Sequence, residues 1–160
     1  MTGSGVGRGA RPVRPQLDAY PFQTALTTRW ADNDVYGHIN NVAYYGFFDT
    51  AANEFLIARG GMDLATSSVI GLVVESQCHF HAPLAYPQRL RVGVRVDRLG
   101  TSSVTYGLAV AAEGDPDVAA HGHVVHVFVE RATRRPTAMP APLRAALESI
   151  AAPVSATVAQ

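Results

Sequence analysis

The sequence has a single cysteine and no long apolar run. Because Cys78 is the one cysteine among 160 residues, no disulfide can form within the chain. No stretch of about 18 or more apolar residues is present, and the N-terminal region does not resemble a signal peptide. These absences argue against membrane insertion and against a disulfide-stabilised secreted domain, so we expect a cytoplasmic protein.

Charge is also scarce. Charged residues make up 16% of the chain and the formal net charge is zero, so no global field attracts nucleic acid. Hydrophobic residues make up 48%. Because the surface of a free-standing small domain is usually richer in charge, we expect a second copy to cover part of this chain, giving a homodimer or a homotetramer.

Motifs for cofactors and metals are missing as well. No glycine-rich loop of the nucleoside-triphosphate or dinucleotide type is present. Five histidines lie between residues 79 and 126, but no cysteine or carboxylate at suitable spacing completes a tetrahedral metal site. We expect no cofactor and no metal, and we interpret these histidines as polar groups on outer strand faces: His79, His81, His121, His123 and His126.

The two ends of the chain differ in composition from its centre. Residues 1–19 are rich in glycine, arginine and proline, and they have too little apolar surface to compensate the entropy of ordering. We predict a disordered tail there, one domain over residues 20–150, and a frayed C-terminus over residues 151–160.

A dense group of polar residues precedes an apolar helical pattern. Asn40 and Asn41 are favourable helix N-caps, and apolar residues then recur at helical spacing until Gly60 ends the pattern. A helix of roughly 17 residues would be about 25 Å long. The pattern therefore predicts the central helix of a small domain.

Alternating β-forming segments flank this helix. One precedes it, and four follow it without intervening helical patterns. This order predicts an α+β domain in which a five-stranded antiparallel sheet wraps around one long central helix, with a short C-terminal helix. The predicted strands begin near Phe22, Val69, Leu90, Ser103 and Val118, and the short helix lies within residues 140–150.

The start of the long helix is suited to acyl chemistry. Its first N–H groups have no partner within the helix and lie at the positive end of the helix dipole, so they can polarise a carbonyl. Asp34 lies a few residues upstream, and Gly37 allows close approach of the backbone to a ligand. A carboxylate and a polarising dipole directed at one point can support attack on an acyl group. His38 either contacts the ligand or a water, or fixes the loop.

These residues resemble the signature of the 4-hydroxybenzoyl-CoA thioesterase branch of the hotdog-fold superfamily, and they are similar to a segment of plant acyl-ACP thioesterases. The resemblance implies a hotdog fold over about residues 22–139 and hydrolysis of an acyl-CoA thioester to a free acid and CoA. It further implies that Asp34 acts as nucleophile or general base and that the amide near Asn41 polarises the carbonyl. The matching segment is Asp34-x-x-Gly37-His38-x-Asn40-Asn41-x-x-Tyr44, with an acidic residue at Asp49.

The same resemblance suggests substrate-binding residues. We expect Gly37, Asn40 and Tyr44 to line the site. Asp49 lies on an otherwise apolar helix segment, and a helix carboxylate of one subunit can complete the neighbouring site in thioesterases of this kind. Further candidates are Arg89 and Arg91, because arginine is the natural partner of CoA phosphates, although a solvated sheet face explains both residues equally well.

Two other functions are compatible with these residues. One is a hotdog hydratase or dehydratase acting on an enoyl or hydroxyacyl thioester. The other is a module that binds acyl-CoA without cleaving it. The sequence does not specify the acyl group, nor whether Asp34 attacks the carbonyl directly.

Overall fold

The computed structural model describes residues 12–153 and shows the predicted order of elements. No helix in this part of the chain is long and apolar enough to cross a bilayer. Short 3-10 helices occupy Leu17–Ala19 and Trp30–Asp32. The main elements are β1 (Phe22–Thr27), α1 (Asn41–Ala58), β2 (Val69–Phe80), β3 (Arg89–Leu99), β4 (Ser103–Ala112), β5 (Ala120–Glu130) and α2 (Ala141–Glu148).

The five strands form one sheet in the order β1-β3-β4-β5-β2, and every neighbouring pair is antiparallel. The strand that follows α1 therefore lies at the far edge of the sheet from β1. The register of β2 against β5 shifts between Val73 and Glu75, as at a β-bulge. The predicted α+β architecture with a five-stranded antiparallel sheet is confirmed.

Helix α1 packs its apolar side against one face of this sheet. Phe48, Ala51 and Phe55 are at most 1% exposed. They share a core cluster with alternate residues of the central strands, as the period of two requires. Burial of each large apolar side chain stabilises the fold by about 1.5–3 kcal/mol. The sheet residues of this cluster include Leu90, Val92, Val94, Val104, Tyr106, Leu108 and Phe128.

The prediction of disorder over residues 1–19 is wrong for the last residues of that segment. Leu17 is buried, and its N–H donates to the Pro116 carbonyl at 3.0 Å. Tyr20 is also buried, because Gly93 has no side chain and leaves room for the ring on the sheet. A single leucine and a single tyrosine thus anchor a segment whose composition alone predicts disorder. Residues 1–11 lie outside the described residues.

The predicted C-terminal fraying also starts too early. The Ala152 N–H donates to the Val96 carbonyl at 2.8 Å, and Ile150 is buried in the core cluster. The chain after α2 therefore runs beside β3. Residues 154–160 lie outside the described residues.

Candidate active site

A tight loop presents Asp34 just before the long helix. The Asp34 N–H donates to the His38 carbonyl at 2.9 Å, and the Gly37 N–H donates to the Asp34 carbonyl at 3.2 Å. Gly37 has a φ of +87°, a left-handed conformation in which a side chain would be strained. The Tyr36 N–H donates to Asp34 Oδ1 at 2.9 Å. The loop backbone itself therefore orients the carboxylate.

Both ends of this loop are anchored to neighbouring segments. The Ile39 N–H donates to the Leu84 carbonyl at 2.7 Å, and the Asn40 N–H donates to the Asp32 carbonyl at 2.8 Å. Asp32 is 3% exposed, and its Oδ2 accepts from the Arg29 N–H at 2.7 Å. Asp32 thus holds the segment that precedes the loop, which gives it a structural position distinct from that of Asp34.

The first turn of α1 leaves one amide available. Asn40 Oδ1 accepts from the Val42 N–H at 2.9 Å, and the Asn40 carbonyl accepts from the Ala43 N–H at 3.0 Å. The predicted N-cap at Asn40 is therefore confirmed. Within the described residues no acceptor faces the Asn41 N–H. This amide, at the positive end of the dipole, can donate to a ligand carbonyl.

The loop, the helix start and the end of β2 enclose one open cavity of about 490 Å³. Asp34, His38 and Asn41 contribute to its wall together with Tyr44, whose ring contacts Phe80 at a centroid distance of 5.1 Å. Burial raises the pKa of Tyr44 to about 12, so its hydroxyl stays protonated. The complete lining is Asp34, Tyr36, His38, Ile39, Asn41, Tyr44, Phe80, His81, Ala82 and Pro83.

Asp34 is sheltered but accessible within this cavity. Its side chain is 20% exposed, and that of His38 is 48% exposed. The His38 Nδ1 lies 3.8 Å from Asp34 Oδ1, which is beyond hydrogen-bond distance. Asp34 thus keeps carboxylate lone pairs for a substrate or a water, and His38 stands beside it without binding it directly.

Five predicted binding residues do not line this cavity: Gly37, Asn40, Asp49, Arg89 and Arg91. Gly37 forms the turn and Asn40 caps the helix instead. Asp49 is exposed on α1, and Asn53 Nδ2 donates to its Oδ1 at 3.2 Å. Arg89 Nε lies 3.1 Å from a carboxylate oxygen of Glu113. Arg91 contacts a side chain of β1. Within one subunit, these groups lie outside the cavity that holds Asp34.

Cys78 is not a candidate nucleophile. Its side chain is partly buried and packs against the core cluster as a small apolar group. Burial raises the pKa of its thiol to about 12, so the reactive thiolate is scarce near neutral pH.

One of the five histidines contradicts the predicted outer-face position. His126 is 1% exposed and lies under α1, where its ring contacts Tyr106 at a centroid distance of 5.1 Å. Its position has the same parity along β5 as the core residues Val124 and Phe128. Among the described residues, no group of three or more potential ligands could hold a metal ion.

The sequence interpretation did not place the end of β2 in the site. Phe80 and His81 line the cavity because β2, the last strand in sheet order, ends beside the helix start. Pro83 belongs to the connection between β2 and β3. In the same connection, the Leu84 carbonyl accepts a hydrogen bond from the Ile39 N–H of the loop that carries Asp34. Sheet order depends on long-range pairing, which the local pattern of β2 does not reveal.

Comparison with known proteins shows the family of this chain. Residues 28–147 match the model of a family described as the thioesterase-like superfamily. The chain belongs to this superfamily. The match includes the motif loop, α1 and all strands after β1, so the carboxylate and the helix start lie within the family region.

Solved structures share the hotdog fold of this thioesterase-like protein. The PA5185 protein of Pseudomonas aeruginosa is 53% identical, with a TM-score of 0.86 over 88% of this chain and 98% of that chain. A 1,4-dihydroxy-2-naphthoyl-CoA thioesterase from Synechocystis is 16% identical, with a TM-score of 0.72 over 81% of this chain and 96% of that chain, and supports the fold alone. YsmA of Bacillus subtilis, an uncharacterised protein, is 24% identical over 66% of this chain and 71% of its own length.

Proposed function

We propose that this protein is an acyl-CoA thioesterase that hydrolyses an acyl thioester to a free acid and CoA. The observation that carries the proposal is that Asp34 and Asn41 line the same cavity, while the Asn41 N–H has no hydrogen-bond partner in the part of the chain that the structure describes. One supplies a carboxylate and the other a donor for the carbonyl oxygen. Membership of the thioesterase-like superfamily supports the same reaction class.

In this proposal the thioester carbonyl oxygen accepts a hydrogen bond from the Asn41 N–H. The helix dipole strengthens that bond as negative charge develops on the oxygen. Asp34 then either attacks the carbonyl carbon or removes a proton from an attacking water. In both routes the C–S bond breaks, and the sulfur leaves with the electron pair and takes up a proton. Single turnover in isotope-labelled water separates the routes, since only direct attack transfers label into Asp34.

The remaining motif residues shape the site in this proposal. Gly37 permits the turn that brings Asp34 to the cavity, and Asn40 occupies the amides beside Asn41 so that a single donor is presented. His38 approaches Asp34 without a hydrogen bond and completes the loop side of the wall. Tyr44 supplies an apolar surface against which an acyl group can pack.

A homodimer is part of the proposal. Strand β2 ends the sheet, so its outer edge has no strand partner within the described residues. Val73 and Val74 near its middle are 51% and 61% exposed. Because an exposed apolar edge strand is a ready template for pairing, we propose that two copies join through β2, as a dimer or as the unit of a tetramer. Asp49, Arg89 and Arg91 remain candidates for contacts across such an assembly or with CoA phosphates.

The decisive experiment measures thiol release with a chromogenic trap from a panel of short, long and aromatic acyl-CoAs. We expect turnover by the native protein and a loss of roughly 100-fold or more in Asp34→Asn, which keeps the size of the side chain but removes the base or nucleophile. Asp18→Asn is the matched control, because Asp18 is exposed outside the cavity.

Three outcomes would contradict this proposal. Binding of acyl-CoA without thiol release would indicate a binding module. Addition or loss of water at an enoyl or hydroxyacyl chain, with the thioester intact, would indicate a hydratase or dehydratase. Equal turnover by the native protein and Asp34→Asn would remove Asp34 from the chemistry.

A further inference from the structure

A pair of imidazoles lies on the strand side of the candidate active site. His81 follows β2 directly and lines the cavity, and its N–H donates to the Ala119 carbonyl at 2.8 Å. The His81 Nε2 lies 2.7 Å from His121 Nδ1 on β5, and the two rings are inclined by only 3°. The distance and the common plane define a nitrogen-to-nitrogen hydrogen bond between the rings.

This geometry limits how the pair can be protonated. In the neutral pair one ring donates and the other accepts. One additional proton can be shared through the same bond. A second additional proton would direct two N–H groups at each other across 2.7 Å. The pair therefore carries at most one positive charge while the hydrogen bond exists.

Neighbouring groups reach His121 from several strands. His79 on β2 lies directly opposite it in the strand pairing, with a ring distance of 5.3 Å. On β3, Arg95 and Asp97 form an ion pair at 2.7 Å. They extend over β4 because Gly107 has no side chain, and a Cβ there would meet the Asp97 carboxylate at 2.6 Å.

These surroundings favour the neutral form of His121. Its pKa is lowered to about 4, first by burial and then by the charges of His81, His79 and Arg95, while Asp97 acts in the opposite direction. Near neutral pH His121 is therefore uncharged and can accept a hydrogen bond from His81. The strands thus fix an acceptor beside His81, a residue of the cavity wall.

We propose that His81 donates the proton to the departing thiol sulfur, and that His121 is a positioning residue that holds the His81 ring and stabilises its protonated form. This inference rests on the proposed thioesterase function. As the C–S bond breaks, the sulfur keeps both electrons and takes a proton from the His81 imidazolium, which becomes neutral. After the products leave, His81 recovers a proton from water.

The position of His81 suits this step better than that of His38. A protonated His38, with Nδ1 3.8 Å from Asp34 Oδ1, would pair with the carboxylate and weaken it as a base. His81 comes from a different element and has its own hydrogen-bond partner.

The test compares kcat/KM against pH for four variants, each checked for native folding by circular dichroism. Without a proton donor, His81→Gln should lose roughly 100-fold in kcat/KM. His121→Ala should lose the acceptor that stabilises protonated His81. The pKa of His81 then falls, and the alkaline limb of the profile moves to lower pH. In His121→Asn the alkaline limb should return most of the way to its native pH, because the asparagine side-chain oxygen can replace Nδ1 as the acceptor.

The matched control is His123→Gln. His123 lies two residues along β5 from His121, contacts Glu75 at 2.6 Å and does not line the cavity, so its profile should match that of the native protein. A ring-proton NMR titration provides a second readout without substrate. The His81 signal should titrate at lower pH in His121→Ala than in the native protein, and the signal should not move in His123→Gln.

Retention of native kcat/KM by His81→Gln would overturn the proton-donor role. An unchanged alkaline limb and an unchanged His81 titration in His121→Ala would overturn the positioning role. Either result leaves turnover that depends on Asp34 intact. Failure of the thioesterase proposal instead removes thiol release from the native protein, so the two failures are distinguishable.

Discussion

Asp34 and His38 close one short loop on each other, because the Asp34 N–H donates to the His38 carbonyl at 2.9 Å while their side chains stay 3.8 Å apart. The backbones of the two residues are thus coupled, but their side chains are not hydrogen-bonded. The carboxylate takes its orientation from the Tyr36 N–H instead. The loop can therefore present Asp34 correctly whatever side chain follows Gly37.

This relationship predicts that His38→Gln is much milder than Asp34→Asn. Backbone bonds still hold the carboxylate, so we expect kcat/KM to fall by less than about tenfold in His38→Gln, against roughly 100-fold or more in Asp34→Asn. The thiol-release assay, run at saturating and limiting acyl-CoA, gives kcat/KM for both variants. A similar large loss in the two variants would assign chemistry to His38.

Two glycines offer a matched test of the loop geometry. Gly37 has a φ of +87° and Gly46 lies inside α1, and a Cβ added at either position would meet no atom within 4 Å. Only backbone strain therefore distinguishes them. Gly37→Ala should cost about 1–2 kcal/mol or distort the loop, and it should lower kcat/KM. Gly46→Ala should be neutral or stabilising by about 0.5–1 kcal/mol. Urea unfolding and thiol release on both variants test this, and equal behaviour would contradict it.

Much of this fold can be predicted because its signals are local. The alternation in β3 reflects a face turned toward α1 and a face turned away from it, and the polar group before Tyr44 marks the helix start. Asn40 caps the helix as its residue type predicts. Asp34 and Asn41 reach one cavity because only a tight loop separates them.

What could not be predicted depends on contacts between distant segments. His81 enters the site only because β2 pairs with β5 at the sheet edge, and Leu17 is ordered only because β4 and its following loop receive it. The burial of His126 was missed for a different reason. His126 has the opposite parity along β5 to His121 and His123 and shares the parity of the core residues Val124 and Phe128, so grouping the five histidines by residue type hid its position on the core face.

The unpaired edge of β2 predicts the state of assembly. We expect a dimer or larger assembly by size-exclusion chromatography with light scattering. Val73→Asp should shift the protein toward monomer, because the residue is 51% exposed at the apolar edge and a charge there opposes pairing. Leu64→Asp is the control, since Leu64 is 73% exposed in the loop between α1 and β2. A native monomer at assay concentration would contradict the proposed dimer.

The assembly also determines whether Asp49 can contribute to a site. Within one subunit it lies outside the cavity and contacts Asn53. If a partner subunit brings its Asp49 to the site, Asp49→Asn should lower kcat/KM by about tenfold or more without changing the free energy of unfolding. The comparison should be made in native protein and in Val73→Asp. Full activity of Asp49→Asn in the assembled protein would exclude a shared site that uses this carboxylate.

The lowered pKa values of His126 and His121 predict a loss of stability in acid. Burial is the main cause that lowers the pKa of His126, and it also leads the causes that bring that of His121 to about 4. The unfolded chain, with histidine pKa values near about 6.5, therefore binds protons that the folded chain does not. Above that pH both states are neutral and neither group changes stability. As pH falls below about 6.5, protonation favours the unfolded state, and for His121 this continues down to about 4.

Replacing His126 with an apolar ring should flatten this dependence. Both ring nitrogens of His126 are buried without a hydrogen-bond partner in the described structure, so His126→Phe loses no such bond and removes one group that protonates on unfolding. The free energy of urea unfolding, measured at about pH 7.5 and about pH 5, should change less between the two conditions in His126→Phe than in the native protein. His123→Gln, on the same strand but on the outer face, controls for removing a histidine as such. An equal acid sensitivity of native protein and His126→Phe would show that His126 accepts its proton in the folded state as readily as in the unfolded one.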